Sequence, residues 1–189
     1  EDAARRDFTI NAMFLDPEND EILDFVGGRD DLMLGMVRAV GDPAARFRED
    51  RLRLLRAVRF ASRAGFSLEP ATAAAVAAEA GNLHAGASVE RVRDELVRMF
   101  TEGAAGAALA LLEDTGLLAV VLPEVQSMRG VEQPPEFHPE GDVLTHTQIM
   151  MGLLRPGCST ALAMGVLLHD AGKPVTQTFE DRIRFNFHD

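Results

Sequence analysis

Apolar residues recur at helical spacing along residues 46–63, which read RFREDRLRLLRAVRFASR. Phe47, Leu54, Val58 and Ala61 fall on one side of an α-helix because they are separated by seven, four and three positions. The stretch holds no proline or glycine, whereas Gly-Asp-Pro precedes it and a glycine follows it closely. The pattern therefore predicts one continuous helix with its apolar stripe against a core.

Another side of this predicted helix is rich in arginine. It carries Arg46, Glu49, Arg53, Arg56, Phe60 and Arg63. A charged helix face is usually solvated and laced with ion pairs, which is the plainer interpretation. Between residues 38 and 63, however, arginine outnumbers acid eight to three, and its planar fork recognises phosphates and base edges. We therefore expect an anionic partner at this face.

The order of residues within the arginine-rich face suggests what that partner is. Asp50 lies about one turn before Arg53, so a helix would let the two side chains meet. An aspartate accepts from amino groups and an arginine donates to ring nitrogens and carbonyls, so the pair presents an edge that a nucleobase could read. Arg56 and Arg59 would face a neighbouring region, where a triphosphate could lie.

The flanking pattern predicts a β-hairpin before this helix and further helices after it. Residues 8–15 and 21–26 are rich in β-formers and are separated by the turn-like DPEND. A short strand is expected at 36–41. Helices are expected at 70–83, 88–96, 104–122 with a break at Thr115-Gly116 and a stop at Pro123, 142–154 and 159–174. Prolines and glycines mark residues 126–141 as a loop or boundary.

Composition narrows the class of protein. The chain has 189 residues and a formal net charge of −11, so any nucleic-acid contact is expected to be local rather than spread over the surface. A single cysteine, Cys158, excludes an intrachain disulfide and fits a reducing compartment. No apolar run reaches membrane-spanning length, so we expect a cytoplasmic protein without a membrane partner.

Residues 49–60, EDRLRLLRAVRF, resemble the EDxxRxxRAxRF motif of class II tRNA nucleotidyltransferases, the CCA-adding enzymes, and of the related bacterial poly(A) polymerases. Three other stretches resemble motifs of the same family in the same order: ARRDFTINAM at 4–13, DFVGGRDDL at 24–32 and SVERVRDEL at 88–96.

The resemblance implies roles for individual residues. Asp50 and Arg53 would read the base, Arg56 and Arg59 would assist, and Arg6 would contact the incoming nucleotide. It also implies that Gly27 and Gly28 belong to a joint after the catalytic head, and that the stretch at 88–96 buttresses the arginine-rich helix, with Glu90 and Arg91 able to pair with it.

A second resemblance lies near the end of the chain. LLHDAGKP at 167–174 resembles the HD superfamily, whose members bind a metal through a histidine, a His-Asp pair and a further aspartate and often hydrolyse phosphate esters. His146, His169 and Asp170 would be ligands here, with His188 as an accessory histidine. Imidazole and carboxylate together suit a divalent metal ion. The alternative is that His169 and Asp170 only end and stabilise a helix.

The expected fold is mostly α (α+β). The predicted parts are the end of a polymerase-β-like nucleotidyltransferase sheet at 1–35, a helical neck that binds nucleotide and RNA at 36–125, and the start of an HD-type helical domain at 138–189. Since the chain begins without Met in a charged segment, we expect a piece of a longer protein. The family's paired carboxylates, which hold Mg²⁺ for transfer, are expected upstream, so the isolated chain should be inactive.

The expected function is template-independent transfer of CMP and AMP from CTP and ATP to the 3′ end of tRNA. One alternative is a poly(A) polymerase that uses ATP only and acts on other RNA. Another is an HD-type metal-dependent phosphohydrolase, and a third is an RNA-binding helical module without chemistry.

Overall fold

The computed structural model describes residues 2–179 and 183–185. It is mostly helical, with small two-stranded sheets, as the sequence predicts. The helices are α1 Gly28–Met33, α2 Pro43–Glu49, α3 Arg53–Ala64, α4 Pro70–Glu79, α5 Val89–Thr101, α6 Ala105–Asp114, α7 Leu117–Val121, α8 Pro123–Gln126, α9 Val143–Gly152, α10 Thr160–Leu168 and α11 Lys173–Thr176. The strands are β1 Met13–Asp16, β2 Glu21–Asp24, β3 Met36–Val37, β4 Ser67–Leu68, β5 Gln177–Phe179 and β6 Ile183–Phe185. Among the described helices, none is long and apolar enough to cross a membrane.

The chain forms two compact units, of which the first ends at Leu96 and the second begins at Val97. In the first unit, the predicted hairpin is confirmed as β1 and β2, paired antiparallel. Its first strand starts later than predicted, because Thr9–Asn11 form a 3₁₀ turn. The Asp7 carboxylate stabilises that turn by accepting from the Phe8 amide at 2.9 Å and from Asn11 Nδ2 at 3.3 Å, which competes with strand pairing.

The glycine pair after β2 is required by the local backbone. Gly27 has a φ of 81°, in the left-handed region that favours glycine. A Cβ on Gly28 would lie 2.3 Å from the Thr9 carbonyl oxygen. The Asp24 carboxylate accepts from four successive amides, those of residues 26–29, and caps α1. These bonds, led by the one from the Arg29 amide, hold the pKa of Asp24 below its ordinary value.

The prediction of one helix over residues 46–63 is wrong, since α2 ends at Glu49 and α3 begins at Arg53. Asp50 is extended, with φ −146° and ψ 104°, and its Oδ1 accepts from the Leu52 amide at 3.1 Å. This side-chain bond stabilises a turn, so the break needs no proline or glycine. The apolar stripe itself is confirmed, because Phe47, Leu54, Val58 and Ala61 are all fully buried.

The remainder of the first unit supports α3. Of the strand predicted at 36–41, only the first two residues form a strand, β3. It pairs in parallel with β4, which the sequence analysis did not predict. The helix predicted from residue 70 begins at Pro70, and the Glu69 carboxylate caps it by accepting from the Thr72 amide at 2.7 Å. It ends at Glu79, and a 3₁₀ helix continues to Ala85.

The second unit is built from short helices. The break predicted at Thr115-Gly116 is confirmed between α6 and α7, with Gly116 at φ 74°. The helix end predicted at Pro123 is confirmed, since α7 ends at Val121. Pro123 itself starts α8, because a proline suits the first helical position. Helices α6 and α9 pack closely, since a Cβ on Gly106 would lie 2.6 Å from the Gln148 carbonyl oxygen.

Candidate nucleotide site and candidate metal centre

Residues from three motifs of the first unit, those at 4–13, 49–60 and 88–96, surround one open cavity of about 530 Å³. Its lining is Arg5, Arg6, Asp7, Asn11, Asp50, Arg53, Arg56, Phe60 and Arg91. Five arginines against two aspartates make the lining electropositive, and the volume is in the range of small-molecule sites. Four of the five predicted nucleotide-binding residues are therefore brought together, namely Arg6, Asp50, Arg53 and Arg56.

Arg56 is fixed by the carboxylate of Asp7, a residue of the motif at 4–13. Its Nε and Nη2 donate to Asp7 Oδ2 at 2.8 and 2.6 Å. Asp7 is buried, and its other oxygen accepts from Phe8 and Asn11. The two hydrogen bonds therefore tie α3 to the 3₁₀ turn and hold one face of the guanidinium towards the cavity.

Asp50 does not contact the Arg53 side chain as the continuous helix would have allowed. Its Oδ2 instead accepts from Arg91 Nη2 at 3.0 Å, while Oδ1 accepts from the Leu52 amide. Arg91 was predicted to pair with the arginine-rich segment, and its partner there is Asp50. A carboxylate has further lone pairs, so Asp50 can still accept a hydrogen bond from a ligand amino group.

Arg53 is held from three sides. Its Nη1 donates to the Arg46 carbonyl at 3.1 Å and to Glu49 Oε2 at 3.0 Å, and its Nη2 donates to the Arg5 carbonyl at 3.2 Å. Because these acceptors belong to both α2 and the N-terminal segment, the guanidinium has a fixed orientation at the cavity wall.

Arg59 lies apart from the other predicted nucleotide-binding residues. It is buried, its Nε donates to Glu95 Oε2 at 2.6 Å, and it does not line the cavity. Its guanidinium carbon is 4.4 Å from the centre of the Phe60 ring, which does line the cavity. Arg59 therefore contacts the lining through Phe60, and it shares Glu95 with Arg56, whose Nη1 lies 4.0 Å from Glu95 Oε1.

The predicted metal ligands of the second unit are also brought together. His146, on α9, lies beside His169 and Asp170, which directly follow α10, and one ligand atom from each lies within 4.8 Å of the others. His169 Nε2 is 3.1 Å from Asp170 Oδ2. Two imidazoles and a carboxylate fit a divalent transition metal by their chemistry. His188 lies outside the described residues.

Two residues beside this cluster were not predicted from the sequence. Glu140 Oε1 lies 2.6 Å from His146 Nδ1 and 3.0 Å from His138 Nδ1. Hydrogen bonds lower the pKa of Glu140 to about 2, and the one from His138 has the largest effect. The only sequence signal was that His138 and Glu140 occupy the predicted loop just before a histidine-bearing helix.

A lysine completes the surroundings of Asp170. Lys173 Nζ donates to Asp170 Oδ2 at 2.8 Å and to Gln133 Oε1 at 2.7 Å. The ammonium group neutralises the carboxylate that faces His169, and a bound cation would have to share Asp170 with it.

Two stretches of the chain match models of one protein family. Residues 1–38 match the "Poly A polymerase head domain" model, and residues 65–128 match "Probable RNA and SrmB-binding site of polymerase A". The multifunctional CCA protein of Xanthomonas campestris is 42% identical over 184 residues. The chain belongs to the family of CCA-adding enzymes and poly(A) polymerases.

The alignment to these relatives covers 93% of this chain and 44% of the Xanthomonas protein. The multifunctional CCA protein of Laribacter hongkongensis is 40% identical, with 93% of this chain and 43% of the relative covered. The chain thus spans less than half the length of the curated relatives it matches.

Solved members of the family have the same fold. The CCA-adding enzyme of Bacillus stearothermophilus, crystallised with CTP, is 42% identical with a TM-score of 0.62, covering 68% of this chain and 33% of that one. A tRNA-processing enzyme solved with CTP is 26% identical with a TM-score of 0.64, covering 91% of this chain and 48% of that one.

Proposed function

We propose that this chain carries the nucleotide-reading part of an enzyme that adds C and A from CTP and ATP to the 3′ end of tRNA. The observation that carries the proposal is the convergence of Arg6, Asp50, Arg53 and Arg56 on one electropositive cavity. The relatives named multifunctional CCA protein and the solved CCA-adding enzyme with CTP support the choice of reaction.

Base recognition is assigned to Asp50 and Arg53. Cytosine and adenine each present an amino group beside a ring nitrogen, so a carboxylate that accepts and a guanidinium that donates match both bases. Uracil and guanine carry a carbonyl in place of that amino group, and it would face the Asp50 carboxylate without a hydrogen bond. The bonds from Arg91 and Leu52 to Asp50 fix the carboxylate before a ligand arrives.

Phosphate recognition is assigned to Arg56 and Arg6, two other arginines of the same lining. Arg56 is oriented by Asp7, and Arg6 is exposed, with an ion pair to Asp2 at 2.9 Å. An exposed ion pair contributes little, so Arg6 can leave Asp2 for a triphosphate at small cost.

Members of this family generally use divalent metal ions. Both carboxylates of the cavity, Asp7 and Asp50, are already bound to arginines, so they do not fit a Mg²⁺ site. No step of the transfer is therefore assigned to a metal at this cavity.

The test uses the whole protein, a tRNA that lacks its 3′ CCA, Mg²⁺ and each nucleoside triphosphate in turn. Sequencing the products should show two C residues followed by one A. A run of A on both tRNA and unrelated RNA would make the protein a poly(A) polymerase, and no incorporation with any triphosphate would refute nucleotide transfer.

A second candidate function is metal-dependent hydrolysis of phosphate esters at the histidine cluster. It is favoured by the grouping of His146, His169 and Asp170, which would hold a divalent ion. When bound, the ion supplies Lewis acidity towards a phosphate. Lys173 would add positive charge for the same anion.

This candidate is tested with 2′,3′-cyclic AMP and Co²⁺, with release of the opened nucleotide as readout. Hydrolysis that disappears in His169→Ala but survives in Arg53→Ala would support it. Hydrolysis that is unchanged in His169→Ala would place the activity elsewhere.

A further inference from the structure

Glu140 binds two histidines through a single oxygen. Its Oε1 is 2.6 Å from His146 Nδ1 and 3.0 Å from His138 Nδ1, and the two imidazole rings meet edge to face with centres 4.9 Å apart. An ionised carboxylate can only accept, so each Nδ1 must carry the hydrogen. The contact therefore selects one tautomer of His146.

The selected tautomer leaves the other nitrogen of His146 available as a lone pair. His169 is arranged in the same way by a different acceptor, because its Nδ1 lies 2.7 Å from the Val166 carbonyl oxygen. With the hydrogen on Nδ1, Nε2 of each ring is the nitrogen whose lone pair can bind a metal ion. In His169 this nitrogen faces Asp170 Oδ2 at 3.1 Å, so the two would hold the same ion. The Nδ1 positions of the two histidines are thus fixed alike, one by a carboxylate and the other by the backbone.

We propose that Glu140 is a positioning residue that holds His146 in its metal-binding tautomer and orientation. The inference rests on the proposed metal centre formed by His146, His169 and Asp170. Glu140 acts through His146 and does not touch the ion, and the His138 ring, packed against His146, shares its carboxylate. A carboxylate behind a ligating histidine raises the basicity of the ring and limits its rotation, which increases metal affinity.

The alternative is that His138, Glu140 and His146 hold an ion themselves, since their ligand atoms also lie within 4.8 Å of one another. One of the distances argues against it. His146 Nδ1 and Glu140 Oε1 are 2.6 Å apart, a charge-assisted hydrogen bond that occupies the nitrogen and the oxygen an ion between them would need.

The experiment titrates the full 189-residue chain with Co²⁺ and measures affinity and stoichiometry by calorimetry, with the visible spectrum reporting coordination. We expect Glu140→Ala to weaken Co²⁺ binding about 10- to 100-fold. Glu140→Gln should weaken it less, because an amide oxygen still accepts from Nδ1. Glu136→Ala is the matched control, since Glu136 is exposed in the same loop, and it should leave the affinity unchanged.

Nitrogen NMR of the His146 ring without metal gives an independent readout. The wild-type chain should show the Nδ1–H tautomer, and Glu140→Ala should show a mixture while its circular dichroism remains that of the folded wild type. If circular dichroism shows that Glu140→Ala is unfolded, the Co²⁺ affinity and the tautomer are measured on Glu140→Gln instead.

The outcomes separate the two hypotheses. If His146→Ala and His169→Ala bind Co²⁺ as tightly as the wild type, the metal centre itself is refuted. If these variants lose Co²⁺ but Glu140→Ala keeps wild-type affinity and tautomer, the positioning role is refuted while the centre stands. Two ions per chain, one of them lost in Glu140→Ala, would make Glu140 a ligand and also overturn the proposal.

Discussion

The arginine-lined cavity of the first unit and the histidine cluster of the second are organised differently for ligands. In the cavity, Arg53, Arg56 and Asp50 are each already bound to charged or backbone partners. In the cluster, Nδ1 of His146 and of His169 is hydrogen-bonded, His169 Nε2 lies 3.1 Å from Asp170 Oδ2, and Lys173 binds the same carboxylate. The first site is thus a network in which the ligand joins or replaces existing bonds. In the second, a metal ion would have to share Asp170 with Lys173, and its binding depends on which nitrogen of each histidine carries the hydrogen.

The largest expected effect concerns the buried ion pair behind the cavity. Glu95→Ala should lower the free energy of unfolding by about 3–5 kcal/mol, because it removes a carboxylate partner of the buried Arg59 guanidinium. Urea denaturation followed by circular dichroism measures it. The double variant Arg59→Met with Glu95→Met should be more stable than Glu95→Ala, since no charge is left buried. A double variant that is less stable would contradict the idea that charge pairing maintains this region.

The next effect concerns the base-reading arginine. Arg53→Ala should weaken CTP binding to the chain by about 1.5–3 kcal/mol, roughly 10- to 150-fold, because it removes a hydrogen bond from a charged donor. Calorimetric titration measures it. Arg29→Ala, at an exposed arginine of the same unit outside the cavity, should bind CTP like the wild type. Equal loss in both variants would mean that CTP is attracted only by general charge.

A smaller effect is expected when the open histidine cluster is filled. Co²⁺ at ten times its dissociation constant should stabilise the chain by about 1.4 kcal/mol, because the ion binds only the folded state. Thermal denaturation with and without Co²⁺ measures the shift, and His169→Ala should show none. The same stabilisation in His169→Ala would mean that the ion binds elsewhere.

The smallest effect concerns a carboxylate that supports the turn at Asp50. Glu79 accepts hydrogen bonds from Asn82, Arg51 and Arg48, and these contacts, led by Asn82, lower its pKa below the ordinary 4.5. A depressed pKa gives stability that is present above the ordinary value and lost as pH falls through the lower folded value. The free energy of unfolding of the wild type should therefore fall more steeply below about pH 4.5 than that of Glu79→Gln. Identical pH profiles between 3 and 6 would remove Glu79 from this role.

The spacing of apolar residues and the turn residues predicted most of the elements. The stripe of Phe47, Leu54, Val58 and Ala61 is buried as expected, and the hairpin and most helices lie where the pattern placed them. The break at Asp50 was missed because one side-chain bond to the Leu52 amide causes it, and an aspartate inside a helical pattern is also common on exposed helix faces. The strand at Ser67–Leu68 was missed because two residues carry no period.

The candidate sites were predictable to the extent that their residues lie in motifs. The motifs name Asp50, Arg53 and His169, but they do not say which partner each one has. The bonds of Asp50 to Arg91 and of His146 to Glu140 join residues separated by 41 and 6 positions, and only the folded chain brings them together. Arg59 lies in the motif, but its side chain binds Glu95 and does not line the cavity. The motif alone did not reveal this.

If the arginine-lined cavity and the histidine cluster perform separate chemistry, variants of the whole protein should lose one activity and keep the other. Arg53→Ala and His169→Ala are each assayed for nucleotide addition to tRNA lacking CCA and for hydrolysis of 2′,3′-cyclic AMP with Co²⁺. We predict that Arg53→Ala loses ordered addition of C, C and A but keeps hydrolysis, and that His169→Ala does the reverse. Loss of both activities in either variant, or wild-type addition by Arg53→Ala, would contradict separate chemistry at the two sites.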